Sequence, residues 1–188
     1  NGTLPMQTYT EGVKGLMQMP SLIARSLETD AQIRQIAEQL HQMPLAFYLG
    51  RGIDAAVAME GALKIKEIAY VPTQECPAGE MKHGPLALVE PGVVAVFIAT
   101  QERTREKILG NMKEIKARRG TVLLVTCEGE TLLSQEADYT LYVPRPHLEE
   151  LSPLVTIPVL QLFAYHVARL RGCEIDQPRN LAKSVTVE

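Results

Sequence analysis

Val93-Val94-Ala95-Val96-Phe97-Ile98-Ala99-Thr100 is an unbroken apolar run closed by a threonine. It lacks the alternation of a strand with one wet face, so it reads as a strand buried on both faces, the habit of a parallel sheet. Downstream, Glu102–Arg118 has the spacing of a helix and closes at Gly120, and Thr121–Cys127 is a second buried strand. A strand, a helix and a strand in that order imply a right-handed crossover that lays the helix on the sheet.

The same alternation extends both ways. Upstream, Leu45–Leu49 is a short apolar run ending in Gly50-Arg51-Gly52, a strand followed by a tight turn. Asp54 is placed to cap a helix that runs to about Tyr70, and Pro72–Cys76 reads as a short strand. Downstream, Glu130–Gln135 reads as a short helix and Tyr139–Val143 as a final strand. Pro153–Gly172 reads as a long helix with proline in its first turn and glycine at its end. Ahead of all these, Thr8–Met43 is helical in pattern and broken at Pro20. Leu22, Ile23, Leu27, Ile33, Ile36, Ala37 and Leu40 recur at three-to-four spacing, Thr29 or Asp30 is placed to cap the second helix, and Pro44 ends it. The expectation is a three-layer α/β/α domain around a five-stranded parallel sheet in flavodoxin-like order, with helices at both ends. Residues 1–44 would be leading helices, 45–175 the α/β domain and 176–188 a C-terminal tail. Ligands in such folds sit at the carboxyl ends of the strands, which points to Gly50–Asp54, the Pro77–Pro85 loop and the Thr100–Thr104 turn.

Composition narrows the class. The chain has 188 residues, 46% hydrophobic and 22% charged, which suits one globular domain. A net charge of −3 offers no nucleic-acid surface. The apolar stretch near the C-terminus is interrupted by Pro158, Gln161, His166 and Arg169, which argues against a membrane span. Cys76, Cys127 and Cys173 are odd in number, widely spaced and lack a CxxC, so neither a disulfide framework nor a zinc knot is expected. A reducing cytoplasm is the expected setting. His147 and His166 have no partners at metal spacing, and no metal or cofactor is expected. His166, inside an apolar helix, reads as a core or interface residue. The chain begins at Asn1 without a signal peptide and reads as a piece excised from something longer.

Three segments carry candidate chemistry. In the helix from Asp54 to Tyr70, Ala55, Ala58, Met59, Ala62, Leu63, Ile65, Ile68 and Ala69 cover most of the circumference. Glu60, Lys64 and Glu67 form one narrow stripe at i, i+4 and i+7. Periodicity allows a solvated face with a Glu–Lys pair, or a lysine beside two carboxylates tuning a general acid/base. In Cys76–Pro85, His83 sits on a backbone constrained by Gly84 and Pro85, as a proton shuttle or as an ordinary loop histidine. The tail Asp176–Glu188 is either frayed or a strap that carries Lys183, a nucleophile towards a sugar ketone, into a site.

Three stretches together resemble one family: Ala58–Glu67 (AMEGALKIKE), Ala78–Ala87 (AGEMKHGPLA) and Asp176–Glu188 (DQPRNLAKSVTVE). They are similar to the second sugar-isomerase (SIS) subdomain of the glucosamine–fructose-6-phosphate aminotransferases, and the last matches that family's terminal sequence almost letter for letter. The resemblance covers nearly the whole chain from about Leu45. It implies an enzyme that turns fructose-6-phosphate and ammonia into glucosamine-6-phosphate, the ammonia being cut from glutamine by a separate N-terminal domain. It implies that Glu67 moves the proton between sugar C1 and C2 and that Lys183 forms a Schiff base with the open-chain ketone. His83 would assist ring opening from across a dimer interface, and Glu60, Lys64 and Ala182 would support the site.

Two departures limit what this chain is expected to do alone. The turn after Val93–Thr100 reads Gln101-Glu102-Arg103-Thr104, with no SxSGxT loop for a sugar phosphate, and Glu102 would repel one. The first SIS half and the glutaminase are missing. The isolated chain is therefore expected to bind fructose-6-phosphate weakly and not to make glucosamine-6-phosphate from glutamine. Other readings are a different phosphosugar isomerase or deglycase of the SIS type, or a non-catalytic sugar-phosphate-binding or dimerisation module. Leu154, Val155, Val159, Leu160, Leu162, Phe163 and Val167 exceed what one face of a lone domain needs, which suggests a homodimer.

Overall fold

The computed structural model describes residues 5–179 and 181. Five strands, β1 (Ala46–Gly50), β2 (Thr73–Pro77), β3 (Val94–Ala99), β4 (Thr121–Cys127) and β5 (Tyr139–Val143), pair in parallel in the order β2-β1-β3-β4-β5. This is the flavodoxin-like order, with its switch point between β1 and β3. The helices are α1 (Met6–Leu27), α2 (Asp30–Leu40), α3 (Ile53–Ala69), α4 (Arg105–Lys116) and α5 (Ser152–Leu170).

Alternate strand residues feed two cores. Tyr48, Val96, Ile98 and Val125 face a large core with Ile33, Ile65 and Phe163 from α2, α3 and α5. Phe47, Leu49, Phe97 and Leu124 face a smaller one with Met81, Ile108 and Met112. One sheet face thus carries α1, α2, α3 and α5. The other carries α4 and the short 3-10 segments Ala78–His83 and Pro85–Leu88.

Several sequence expectations are corrected. Pro20 does not break α1, which runs through it. The proline sits on the exposed side, where the carbonyl it leaves unpaired is reachable by water. The break falls at Glu28-Thr29. Thr29 holds the N-cap position of α2, but its hydroxyl donates back to the Ser26 carbonyl at 2.7 Å in place of a cap bond; Asp30 is not a cap, and its Oδ1 lies 2.6 Å from His166 Nε2. Asp54 is not a cap either, because Gly52 holds that position at φ +61°. Glu130–Gln135 forms turns instead of a helix. The buried Glu130 carboxylate accepts from the Leu133 N–H and pairs with Arg105 at 2.7 Å, while the Ser134 hydroxyl donates to the Glu130 and Thr131 carbonyls.

The apolar excess of α5 is also explained differently. This helix is long and apolar enough to cross a membrane by length and composition alone. Here it is the central helix of the larger core, with α1, α2 and α3 packed against it. Val155, Val159, Leu160, Phe163 and Val167 are buried within the chain and provide no surface for a partner, whereas Leu154 is exposed and Leu162 half-buried.

Candidate functional site

Helix α3 lies unusually close to β1 and α5, because Gly61 has no side chain: a Cβ there would stand 2.9 Å from Tyr48 and Leu160. Val57, Ala58, Ala62, Ile65 and Ala69 fill the inward face. Glu60, Lys64 and Glu67 are thereby forced onto the outward one. Lys64 Nζ donates to Glu67 Oε2 at 2.8 Å and stands 3.7 Å from Glu60 Oε1. The bond to Glu67 raises the Lys64 pKa, so this lysine is an ammonium that organises carboxylates and not a free amine. The row is open to the outside, flanked by Met59 and Leu63, which are 57% and 42% exposed.

The C-terminal end of α3 makes a second contact of interest. Tyr70 closes the helix in the left-handed region, φ 53° and ψ 32°, where glycine is usual and other residues are strained. Its phenol oxygen accepts the backbone N–H of Arg179 at 2.7 Å, and the Arg179 guanidinium lies 4.3 Å from the ring centroid. A cavity of about 400 Å³ opens beside them, lined by Arg171, Cys173 and Glu174 among others. No sequence signal marks this contact, whose partners are 109 residues apart.

The carboxyl ends of the strands gather the segments expected there. Arg51 donates to Asn111 Oδ1 at 3.1 Å and its guanidinium lies against Gly79. Asp54, 1% exposed, accepts from the Thr100 N–H at 2.8 Å and the Thr100 hydroxyl at 2.6 Å. Ser152 Oγ is 2.8 Å from that hydroxyl. Burial pushes the Asp54 carboxyl up and the Thr100 bonds hold it back. The Glu60–Lys64–Glu67 row runs along the outer face of α3, with Glu67 near the far end of the helix.

His83 is exposed at the end of the 3-10 segment Ala78–His83, whose Ala78 and Met81 belong to the smaller core. Neighbouring Lys82 pairs with Glu114 of α4 at 2.8 Å. Glu67 and His83 therefore belong to elements covering opposite faces of the sheet. Lys183 and Ala182 lie outside the described residues. Burial pushes the Cys127 thiol up to about 11 and raises that of Cys76, so neither is poised as a nucleophile. Among the described residues no group of three or more His, Cys, Asp or Glu side chains could hold a metal.

A family model described as the SIS domain matches residues 39–171. The chain belongs to the SIS domain family. This SIS domain is 44% identical over 187 residues to the glutamine–fructose-6-phosphate aminotransferase (isomerizing) of Caldanaerobacter subterraneus subsp. tengcongensis, and the match takes in 100% of the chain and 31% of that relative. It is 48% identical over 171 residues to the enzyme of the same name from Pyrococcus horikoshii, spanning 91% of the chain and 28% of the relative. Among solved structures, the C-terminal domain of glucosamine-fructose-6-phosphate aminotransferase from Francisella tularensis superposes with a TM-score of 0.85 at 33% identity, over 93% of this chain and 49% of that one. The SIS domain thus spans less than a third of the length of these full-length relatives.

Proposed function

We propose that this SIS domain is the C-terminal isomerase half of an isomerizing glutamine–fructose-6-phosphate aminotransferase, with Glu67 and Lys183 acting on the same sugar. The observation that carries this reading is the Tyr70–Arg179 contact. It ties the start of the terminal segment to the phenol of Tyr70, whose backbone lies three residues beyond Glu67, about 4.5 Å along the helix axis. Lys183 follows four residues after Arg179, so the chain reaches at most about 14 Å from that point. An amine so tethered has the α3 carboxylate row within its range.

The chemistry follows from the groups. The Lys183 amine condenses with the C2 ketone of open-chain fructose-6-phosphate, releasing water and forming an imine that acts as an electron sink. The product carries its nitrogen at C2, so ammonia must displace the lysine there and return it as a free amine. Glu67 takes the proton from C1 and delivers it to C2. Lys64 holds the Glu67 carboxylate in place at 2.8 Å. His83 opens the ring from a second copy of the chain, a reading favoured by the placement of His83 and Glu67 on opposite layers. The phosphate is held by the other SIS half, since Gln101-Glu102-Arg103-Thr104 provides no anion cradle. The isolated chain is therefore inactive with glutamine.

The test is glucosamine-6-phosphate production by the full-length protein carrying this chain. Glu67→Gln and Lys183→Ala should each lower turnover by at least about 100-fold. Wild-type turnover in both would instead support a non-catalytic binding or dimerisation module.

A further inference from the structure

We infer that Tyr70 is the positioning residue that docks the C-terminal tail on α3 and thereby sets where Lys183 meets Glu67. This rests on the reading of Lys183 given above and extends it to a residue with no chemistry of its own. Three observations converge on Tyr70. It occupies the left-handed position that closes α3, φ 53° and ψ 32°, where a glycine would be free of strain. Its hydroxyl takes the Arg179 N–H at 2.7 Å. Its ring carries the Arg179 guanidinium at 4.3 Å.

A backbone bond and a side-chain stack to the same residue fix both the place and the rotation of Arg179. The strained backbone is what makes this possible. With Tyr70 in the left-handed region, the chain turns off the helix axis into Val71 and the edge strand β2, while the phenol is left to meet the tail. Cys173 adds a second, weaker link at the same helix end, its Sγ 3.9 Å from the Ala69 carbonyl oxygen. The tail is thus tied at Arg179 to the residue that closes α3, and Lys183 follows four residues later in the sequence.

The experiment uses the full-length protein with Tyr70→Gly and Tyr70→Phe. Glycine relieves the left-handed strain, so Tyr70→Gly should keep or raise the thermal midpoint while deleting the anchor. Tryptic cleavage at Arg179–Asn180, followed by mass spectrometry, should speed up about tenfold on loss of the stack and bond. Borohydride-trapped fructose-6-phosphate on Lys183 should fall by a similar factor, with kcat reduced and KM for glutamine unchanged. Tyr70→Phe, which keeps the ring, should recover most of the adduct. Wild-type cleavage and adduct formation in Tyr70→Gly would overturn the inference. If Tyr70→Gly lowers the midpoint, Arg179→Ala, outside every helix and strand, replaces it with adduct yield as the readout, and a wild-type yield there overturns the inference. A wild-type protein that gives no adduct at Lys183 refutes the reading of that lysine, and cleavage at Arg179 then decides alone whether Tyr70 holds the tail.

Discussion

Replacing Thr100 by valine should cost this SIS domain about 2.5 to 4 kcal/mol, with a loss that depends on pH. The substitution keeps the branched shape and removes one hydroxyl. That hydroxyl donates to Asp54 Oδ1 at 2.6 Å and meets Ser152 Oγ at 2.8 Å, all three residues being buried. A bond to a charged group is worth about 1.5 to 3 kcal/mol and a neutral one about 1 kcal/mol, so their sum sets the expected range. The backbone N–H of Thr100 still reaches Asp54 at 2.8 Å in the variant, which keeps the loss below that of a wholly orphaned carboxylate. Burial raises the Asp54 pKa, so the folded state holds its proton more tightly than the unfolded chain, whose value is about 3.9. The contribution of this group to stability therefore falls as pH rises above about 3.9 and through the folded value. Thr100 bonds oppose the rise, and losing one moves the folded value further up. The deficit of Thr100→Val should thus be largest near pH 8 and shrink towards pH 4. Urea denaturation followed by far-UV circular dichroism at pH 4.5, 6 and 8 would measure it. A loss below about 0.5 kcal/mol, or one that does not vary with pH, would refute the reasoning.

Two further outcomes follow from packing and burial. Gly50→Ala should destabilise by about 3 kcal/mol or more, because the new Cβ would stand 2.3 Å from the Asp54 carbonyl oxygen and 2.7 Å from Ala55 N, both backbone atoms that cannot rotate away. Gly110→Ala on α4, where a Cβ meets nothing within 4 Å, should be stabilising by about 0.5 to 1 kcal/mol, and equal denaturation midpoints for the two variants would contradict both expectations. Cys127, buried and with its thiol pushed up to about 11, should resist a maleimide at pH 7.5 in the native domain and react once urea unfolds it. Peptide mapping that finds Cys127 labelled equally fast in both states would disprove this.

The contrast between what was legible and what was not has a physical origin. Val93–Thr100 and Thr121–Cys127 declare themselves as strands, because a run with no polar side can only be covered on both faces, and the helix between them makes the pairing parallel. The Glu60–Lys64–Glu67 row was legible for the same local reason, since helical spacing alone puts the three on one side. Pro20 misled because the cost of a helical proline depends on whether its freed carbonyl meets water, and Pro20 faces out only by virtue of how α1 lies on α5. The apolar surplus of α5 looked like an interface because a sequence does not say how many neighbours a helix has. Asp54 looked like a cap because its hydroxyl partner, Thr100, arrives from another strand.

The residue pattern by itself therefore determined the fold class, the strand order's parallel character and the charged stripe, all consequences of short-range periodicity and of which groups tolerate burial. Tertiary packing alone decided that the Asp54 carboxylate is bonded by Thr100 at the end of β3, that His83 and Glu67 lie on elements covering opposite faces of the sheet, and that Arg179 is held by Tyr70. Those outcomes depend on where separately formed elements come to rest against one another, and no local rule of spacing or propensity encodes a contact between groups 109 residues apart.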